Sequence, residues 1–112
     1  VIVYEVNLVV REAILEDYRA WLASHVEEML ALPGFVSAEI LDQIEPSAPE
    51  GTRALTMCYR IADRASLDRY FDEHSARMRE DGRRRFGDAF TATRRVLIGV
   101  SGERKNKSAS RY

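Results

Sequence analysis

The chain of 112 residues holds a single cysteine, Cys58, and only two lysines, Lys105 and Lys107, both close to its C-terminus. One thiol excludes an internal disulfide and any Cys-x-x-Cys motif. With nothing to suggest an oxidising compartment, the expected location is cytoplasmic. No apolar run approaches the ~20 residues that cross a bilayer, and Val1–Glu5 shows neither the basic start nor the small-residue cleavage site of a secretory leader. The phosphate loop GxxxxGK[ST], the dinucleotide turn GxGxxG and the nucleophile elbow GxSxG are missing as well. So is an excess of positive charge: the net charge of −1 divides into +3 over residues 103–112 and −4 over residues 1–102. A mildly acidic body gives nucleic acid no electrostatic footing, so neither nucleic acid nor membrane is an expected partner.

What is present reads as one domain over residues 1–100, since two cores would leave each half too small to fold alone. A flexible basic tail, poor in apolar residues, is expected over 101–112. Val1–Val10 is rich in β-branched residues, with Glu5 and Asn7 both on odd positions, as in a strand with one apolar and one mixed face. Ile14, Tyr18, Trp21, Leu22, His25, Val26, Met29 and Leu30 then recur at spacings of three and four, predicting a helix that Pro33-Gly34 ends. No residue near Arg11–Ala13 is a good N-cap. Phe35–Ile44 and Thr52–Ile61 read as strands of an antiparallel hairpin around the loop Glu45–Gly51. Asp63 offers a cap for a second helix carrying Leu67, Tyr70, Phe71, His74 and Met78. Gly82 is expected to stop it, leaving Arg83–Gly87 as a turn or short extra helix. Asp88–Val100 supplies the last strand.

The order β-α-β-β-α-β with right-handed crossovers predicts an α+β, ferredoxin-like domain: a four-stranded antiparallel sheet in the order 4-1-3-2, with both helices on one face. The other face needs a cover. Leu55, Met57, Val36, Ala38, Ile40 and Val9 suggest more apolar sheet surface than two helices hide, so a homodimer through the sheet face is expected.

Two sets of side chains are candidates for chemistry. Glu5 and Asn7 should point to the open face beside Thr56, Cys58 and Arg60 on the third strand and Thr91, Thr93 and Arg95 on the fourth. Glu5, Asn7, Arg60 and Arg95 could hold a small polar ligand there; equally, Glu5 could simply pair with an arginine. His25 and His74 lie on apolar helix stripes, where an imidazole could act as base or proton shuttle or be a packed residue with one hydrogen bond. No metal site is expected, because three or four converging ligands are wanted and no tight ligand motif is present. Cys58, mid-strand, reads as packing. Arg83-Arg84-Arg85 reads as a solvated turn or an anion contact. The third strand fails the aromatic and basic pattern of an RNA-recognition domain.

Tyr4-Glu5-Val6, then Trp21 with His25 and Met29-Leu30, then Gly34-Phe35 with Ala38 form one set of landmarks. Leu67, Tyr70, His74, Arg79, Phe86-Gly87 and Arg94-Arg95-Val96-Leu97 form another. In joint order and spacing they resemble a family of short bacterial proteins known only as a domain of unknown function, within the dimeric α/β-barrel superfamily. The resemblance covers nearly everything but the tail and takes in both histidines. It implies a dimer whose two sheets close into a barrel, and it implies no reaction. The wider superfamily holds cofactor-independent monooxygenases, isomerases, haem-binding members and ligand-sensing modules, which use the cleft between sheet and helices. Fold analogy of that breadth selects none of them. The expected function is therefore a homodimer that binds a small organic molecule, possible as a cofactor-independent enzyme with no bound cofactor. The alternative is a non-catalytic regulatory or protein-interaction module, and a haem or flavin carrier using His25 or His74 is a third.

Overall fold

A computed structural model describes residues 1–108; the last four residues of the expected tail lie outside the described residues. The chain runs β1 (Ile2–Arg11), a short 3-10 turn (Glu12–Ile14), α1 (Leu15–Leu30), β2 (Phe35–Asp42), β3 (Thr52–Ile61), α2 (Arg64–Glu73), α3 (Ser75–Phe86) and β4 (Phe90–Ile98). The sheet is antiparallel throughout with order β2-β3-β1-β4, the expected 4-1-3-2 read from the other edge. The helices lie on one face.

Alternation along β1 decides what each face carries. Ile2, Tyr4, Val6, Leu8 and Val10 are buried under the helices, while Val3, Glu5, Asn7 and Val9 are half-buried on the other face. Register carries the same division into its neighbours. Leu55, Met57, Tyr59 and Ile61 stand opposite the buried set, and Thr56, Cys58 and Arg60 opposite Asn7, Glu5 and Val3. The expectation that Leu55, Met57, Ala38 and Ile40 add to an uncovered apolar surface is therefore corrected: Leu55 and Met57 are buried on the helix side, and Ala38 and Ile40 pair with Tyr59 and Met57 on the same phase. The open face mixes Val3, Val9, Leu41 and Leu97 with Glu5, Asn7, Thr56, Arg60, Thr93 and Arg95. It is less apolar than its strand sequences suggest.

α1 buries Tyr18, Leu22, Val26 and Met29, the stripe its spacing predicts. Each such side chain contributes about 1.5–3 kcal/mol on removal from water. The chain turns out of α1 through Gly34 at φ +83°, where any side chain would collide with Ser66. Asp63 caps α2 as expected, its carboxylate accepting from the Ser66 amide at 2.8 Å.

Two expectations for the second helix are corrected. The stripe from Leu67 to Met78 is not one helix but two, broken at His74, whose backbone (φ −130°, ψ −29°) leaves the helical region. Gly82 does not stop α3, which runs through it to Phe86 and ends at Gly87 with φ +57°. Glycine inside a helix costs about 1 kcal/mol relative to alanine. Its place here follows from packing, since a Cβ at Gly82 would sit 3.1 Å from Cη2 of Trp21. Arg83, Arg84 and Arg85 form the last turn of α3, where positive charge complements the helix dipole.

Candidate functional site

Between the sheet and the helices lies a cavity of about 50 Å³, and a single water centre needs roughly 10–15 Å³. Its floor comes from the helix-facing phase of the sheet: Tyr4, Val6 and Leu8 of β1, Met57 and Tyr59 of β3, Phe90 and Arg94 of β4. Its roof is Tyr18, Trp21, His25 and Met29 of α1, closed by Tyr70 of α2 and Met78, Arg79 and Gly82 of α3. The wall is aromatic and thioether-rich, with a few polar groups. That is the composition of a small-molecule site.

Those polar groups are held in distinct ways. Trp21 donates its indole N–H to Asp81 at 3.1 Å, which fixes the ring from the α3 side. His25, one turn on, stacks on Trp21 with centroids 4.9 Å apart and planes inclined by 13°. Burial pushes the His25 pKa below its usual value; the nearby Glu28 and Asp81 oppose this, and Arg94 adds to it. The ring is therefore held neutral near pH 7, the form that can accept a proton. Tyr4 is 1% exposed, and its hydroxyl is buried with no hydrogen-bond partner among the described residues. Burial also raises the phenols of Tyr18, Tyr59 and Tyr70.

Arg94 stands opposite Val6 on the helix-facing phase of β4, between Ala92 and Val96. An outer groove of about 810 Å³ continues from the cavity past Arg79, Arg94 and Phe90 to Arg83 and Arg84, with Glu80 and Asp88 at its margins.

Of the candidates picked from the sequence, Glu5, Asn7 and Arg95 do come together, on the opposite face of the sheet from His25. Arg95 Nε donates to Glu5 Oε2 at 3.0 Å, Asn7 Nδ2 to Glu5 Oε1 at 3.2 Å, and Thr56 Oγ1 to Asn7 Oδ1 at 2.8 Å. The hydrogen bond from Arg95 holds the Glu5 carboxyl below its usual pKa; burial opposes this, and the Asn7 amide adds to it. Arg60 is apart from this network, in a shallow depression with Val3, Ser37, Glu39 and Cys58. The Cys58 thiol is pushed up, first by burial and then by Glu5 and Glu39. His74 sits at the α2–α3 break, outside the cavity lining, with Nδ1 3.2 Å from Arg77 Nη2 and Nε2 3.8 Å from Glu73. Among the described residues no three His, Cys, Asp or Glu side chains converge as metal ligands, and no helix is long and apolar enough to cross a membrane.

Sequence reasoning missed Tyr4, Arg79 and Arg94 as lining residues. The signal for Arg94 was the phase of β4: Phe90, Ala92, Arg94 and Val96 alternate on one face, so a guanidinium interrupts an otherwise apolar series.

A four-stranded antiparallel sheet with helices on one face and a cavity between them defines a ferredoxin-like α+β fold. The fold of the oxygenase SnoaB from Streptomyces nogalater is similar at TM-score 0.64 and 13% identity, over 90% of this chain and 95% of that one; its structure is described as that of a cofactor-independent oxygenase. A putative antibiotic biosynthesis monooxygenase from Deinococcus radiodurans matches at TM-score 0.67 and 9% identity, over 95% and 97% of the two chains. So does a de novo designed protein, Foldit4, at TM-score 0.61 and 16% identity, over 88% and 98%. Identities this low show the fold alone, and a designed chain among the neighbours makes the point directly. The chain belongs to the family described as domain of unknown function (DUF4286), whose model matches residues 1–100. No curated protein matches the sequence.

Proposed function

We propose that this protein is a homodimer that pairs through the open face of its sheet and binds a small organic molecule in the cavity between sheet and helices. There it acts by proton transfer through His25, without a cofactor. The observation that carries this reading is His25 itself: an imidazole kept neutral by burial, stacked on an oriented Trp21, at the edge of an aromatic cavity that also holds two guanidinium groups. A neutral imidazole takes a proton from an acidic C–H or O–H of the ligand, and the guanidinium groups stabilise the anion that forms. Glu5, Asn7 and Arg95 belong in this reading to the dimer contact, with Arg60 at its margin and His74 a hinge residue outside the chemistry.

The test has two arms. Sedimentation velocity at micromolar concentration should give a dimer. A thermal-shift screen of small acids and aromatics should give a concentration-dependent rise in melting temperature, since a ligand that binds only the folded state stabilises it by RT ln(1 + [L]/Kd). His25→Gln should keep that rise while abolishing exchange of solvent deuterium into the bound compound, followed by proton NMR. A binder whose exchange is the same in wild type and variant makes the protein a non-catalytic module. That second reading has its own support in the exposed segment 101–108, which carries Arg104 and Lys105 and no regular structure. Deleting residues 101–112 should then weaken partner capture and leave the fold intact.

A further inference from the structure

The cavity is apolar in its depth and basic where it opens. Arg79 and Arg94 both line it, and neither makes an ion pair or hydrogen bond with another described residue. Arg19, Arg53, Arg64, Arg85 and Arg95, by contrast, each face a carboxylate within 4.0 Å. The charge of Arg94 is felt inside the cavity, at Tyr18, His25 and Tyr70, and that of Arg79 at Tyr70. Asp81, which acts on His25 from the α3 side, is already engaged by Trp21 and Arg85. The groove outside adds Arg83 and Arg84 against Glu80 and Asp88, a local balance of +2 when Arg79 and Arg94 are counted.

Two uncompensated guanidinium forks at the rim of an aromatic cavity match one anionic group on a flat apolar body. A carboxylate meets a guanidinium fork with two parallel hydrogen bonds. A phosphate is more heavily hydrated and gains little from the aromatic wall, and in the groove outside Glu80 and Asp88 offset the charge of Arg83 and Arg84.

We propose that the mouth of the cavity takes a small planar aromatic carboxylate, its ring against Trp21 and Phe90 where the space of about 50 Å³ opens into the groove of about 810 Å³, and its carboxylate held by Arg94 and Arg79. This rests on the reading of the cavity as a ligand site and adds the class of ligand.

The test is calorimetric titration of the full chain with matched pairs that differ only in charge, benzoate against benzamide and 2-naphthoate against 2-naphthamide, with inorganic phosphate as a competitor. The expected result is at least a tenfold preference for the carboxylate in one pair, no displacement by equimolar phosphate, and quenching of the single tryptophan, Trp21, by benzoate. In Arg94→Gln the preference should fall to within about twofold, with a melting curve like wild type; Arg64→Gln, on the outer surface of α2, should leave it unchanged. Should Arg94→Gln fold poorly, Arg79→Gln provides the same reading. Equal binding of acid and amide would overturn the proposal and leave the cavity as a site for neutral compounds. Phosphate displacing benzoate, or a preference that survives loss of both arginines, would overturn it too. Failure of all four aromatics to bind would remove the ligand site itself, and the proposed function with it.

Discussion

Tyr4 offers a direct test of the cavity, because its ring and its hydroxyl have opposite effects on the free protein. The ring lies 6.0 Å from Tyr59 in a stacked arrangement and 5.5 Å from Phe71 edge-on, contacts that phenylalanine keeps in full. The hydroxyl is buried without a hydrogen-bond partner among the described residues, and the Tyr70 phenol, whose pKa it helps burial to raise, is the neighbour that would satisfy it. An unpartnered buried hydroxyl costs about 1–3 kcal/mol. Tyr4→Phe should therefore stabilise the ligand-free protein by about 1 kcal/mol, which for a domain of this size raises the melting temperature by roughly 4 °C. Urea unfolding should show a higher midpoint with an unchanged slope, both proteins being measured at one protomer concentration because the stability of the proposed dimer depends on it. Tyr59→Phe is the control. Its hydroxyl donates to the Met57 sulfur at 3.4 Å, so the change removes a weak bond and should cost a few tenths of a kcal/mol, less than an ordinary hydrogen bond's ~1. The same Tyr4→Phe variant should bind benzoate as wild type does, because the carboxylate is met at the rim by Arg94 and Arg79. A loss of 1 kcal/mol or more in Tyr4→Phe would refute the reasoning, because the hydroxyl would then be satisfied in the native state.

His25 has a folded-state pKa below its unfolded value, so the unfolded chain binds the extra proton first. Stability should be full above about pH 6.5 and should fall as the pH drops through the folded value, and His25→Gln, with Glu28, Asp81 and Arg94 still around the site, should flatten that slope in chemical denaturation. Asp81→Ala removes the acceptor of the Trp21 indole and should cost about 1.5–3 kcal/mol, the worth of a hydrogen bond to a charged group, with a shift in Trp21 emission; unchanged emission would mean that Asp81 does not set the ring. Arg95→Met breaks the pair with Glu5, which is worth about 0–1 kcal/mol on an exposed surface but about 3–5 kcal/mol when both groups are covered. The proposed dimer should therefore dissociate at micromolar concentration in sedimentation velocity, and an unaltered assembly would remove the pair from its interface.

Much of the architecture is legible because β1 states its two faces openly: Glu5 and Asn7 share a phase, and Tyr4, Val6 and Leu8 the other. Phase in β3 is just as readable once β1 is fixed, since Thr56 between Leu55 and Met57 marks the alternation, yet counting apolar positions without phase assigns both to the open face. The break at His74 is hidden, since Leu67, Tyr70, His74 and Met78 keep helical spacing across it. Gly82 misleads for a long-range reason. Locally a glycine ends helices, and only the approach of Trp21, 61 residues earlier, explains one inside α3. The cavity is the least legible part, because Arg79 and Arg94 come from elements that meet only in three dimensions. Adjacent arginines such as Arg94 and Arg95 also look alike until register sends one to each face.

That division has a consequence for reading any variant of this protein. Tyr4 and Glu5 are neighbours in sequence, and they act on opposite sides of a sheet one strand-layer thick. Glu5 with Asn7, Thr56 and Arg95 forms a closed set of hydrogen bonds, with no donor or acceptor reaching the helix side. Tyr4, Trp21, His25 and Arg94 line a space that the open face does not touch. Free energies of changes without shared partners add to within about 0.3–0.5 kcal/mol. The double variant Arg95→Met with Asp81→Ala should accordingly show the assembly defect of the first and the Trp21 emission of the second, each at its single-variant size. Coupling beyond ~1 kcal/mol between them would mean that pairing of the sheets shapes the cavity. In that event the partner protomer would have to be counted as part of the site.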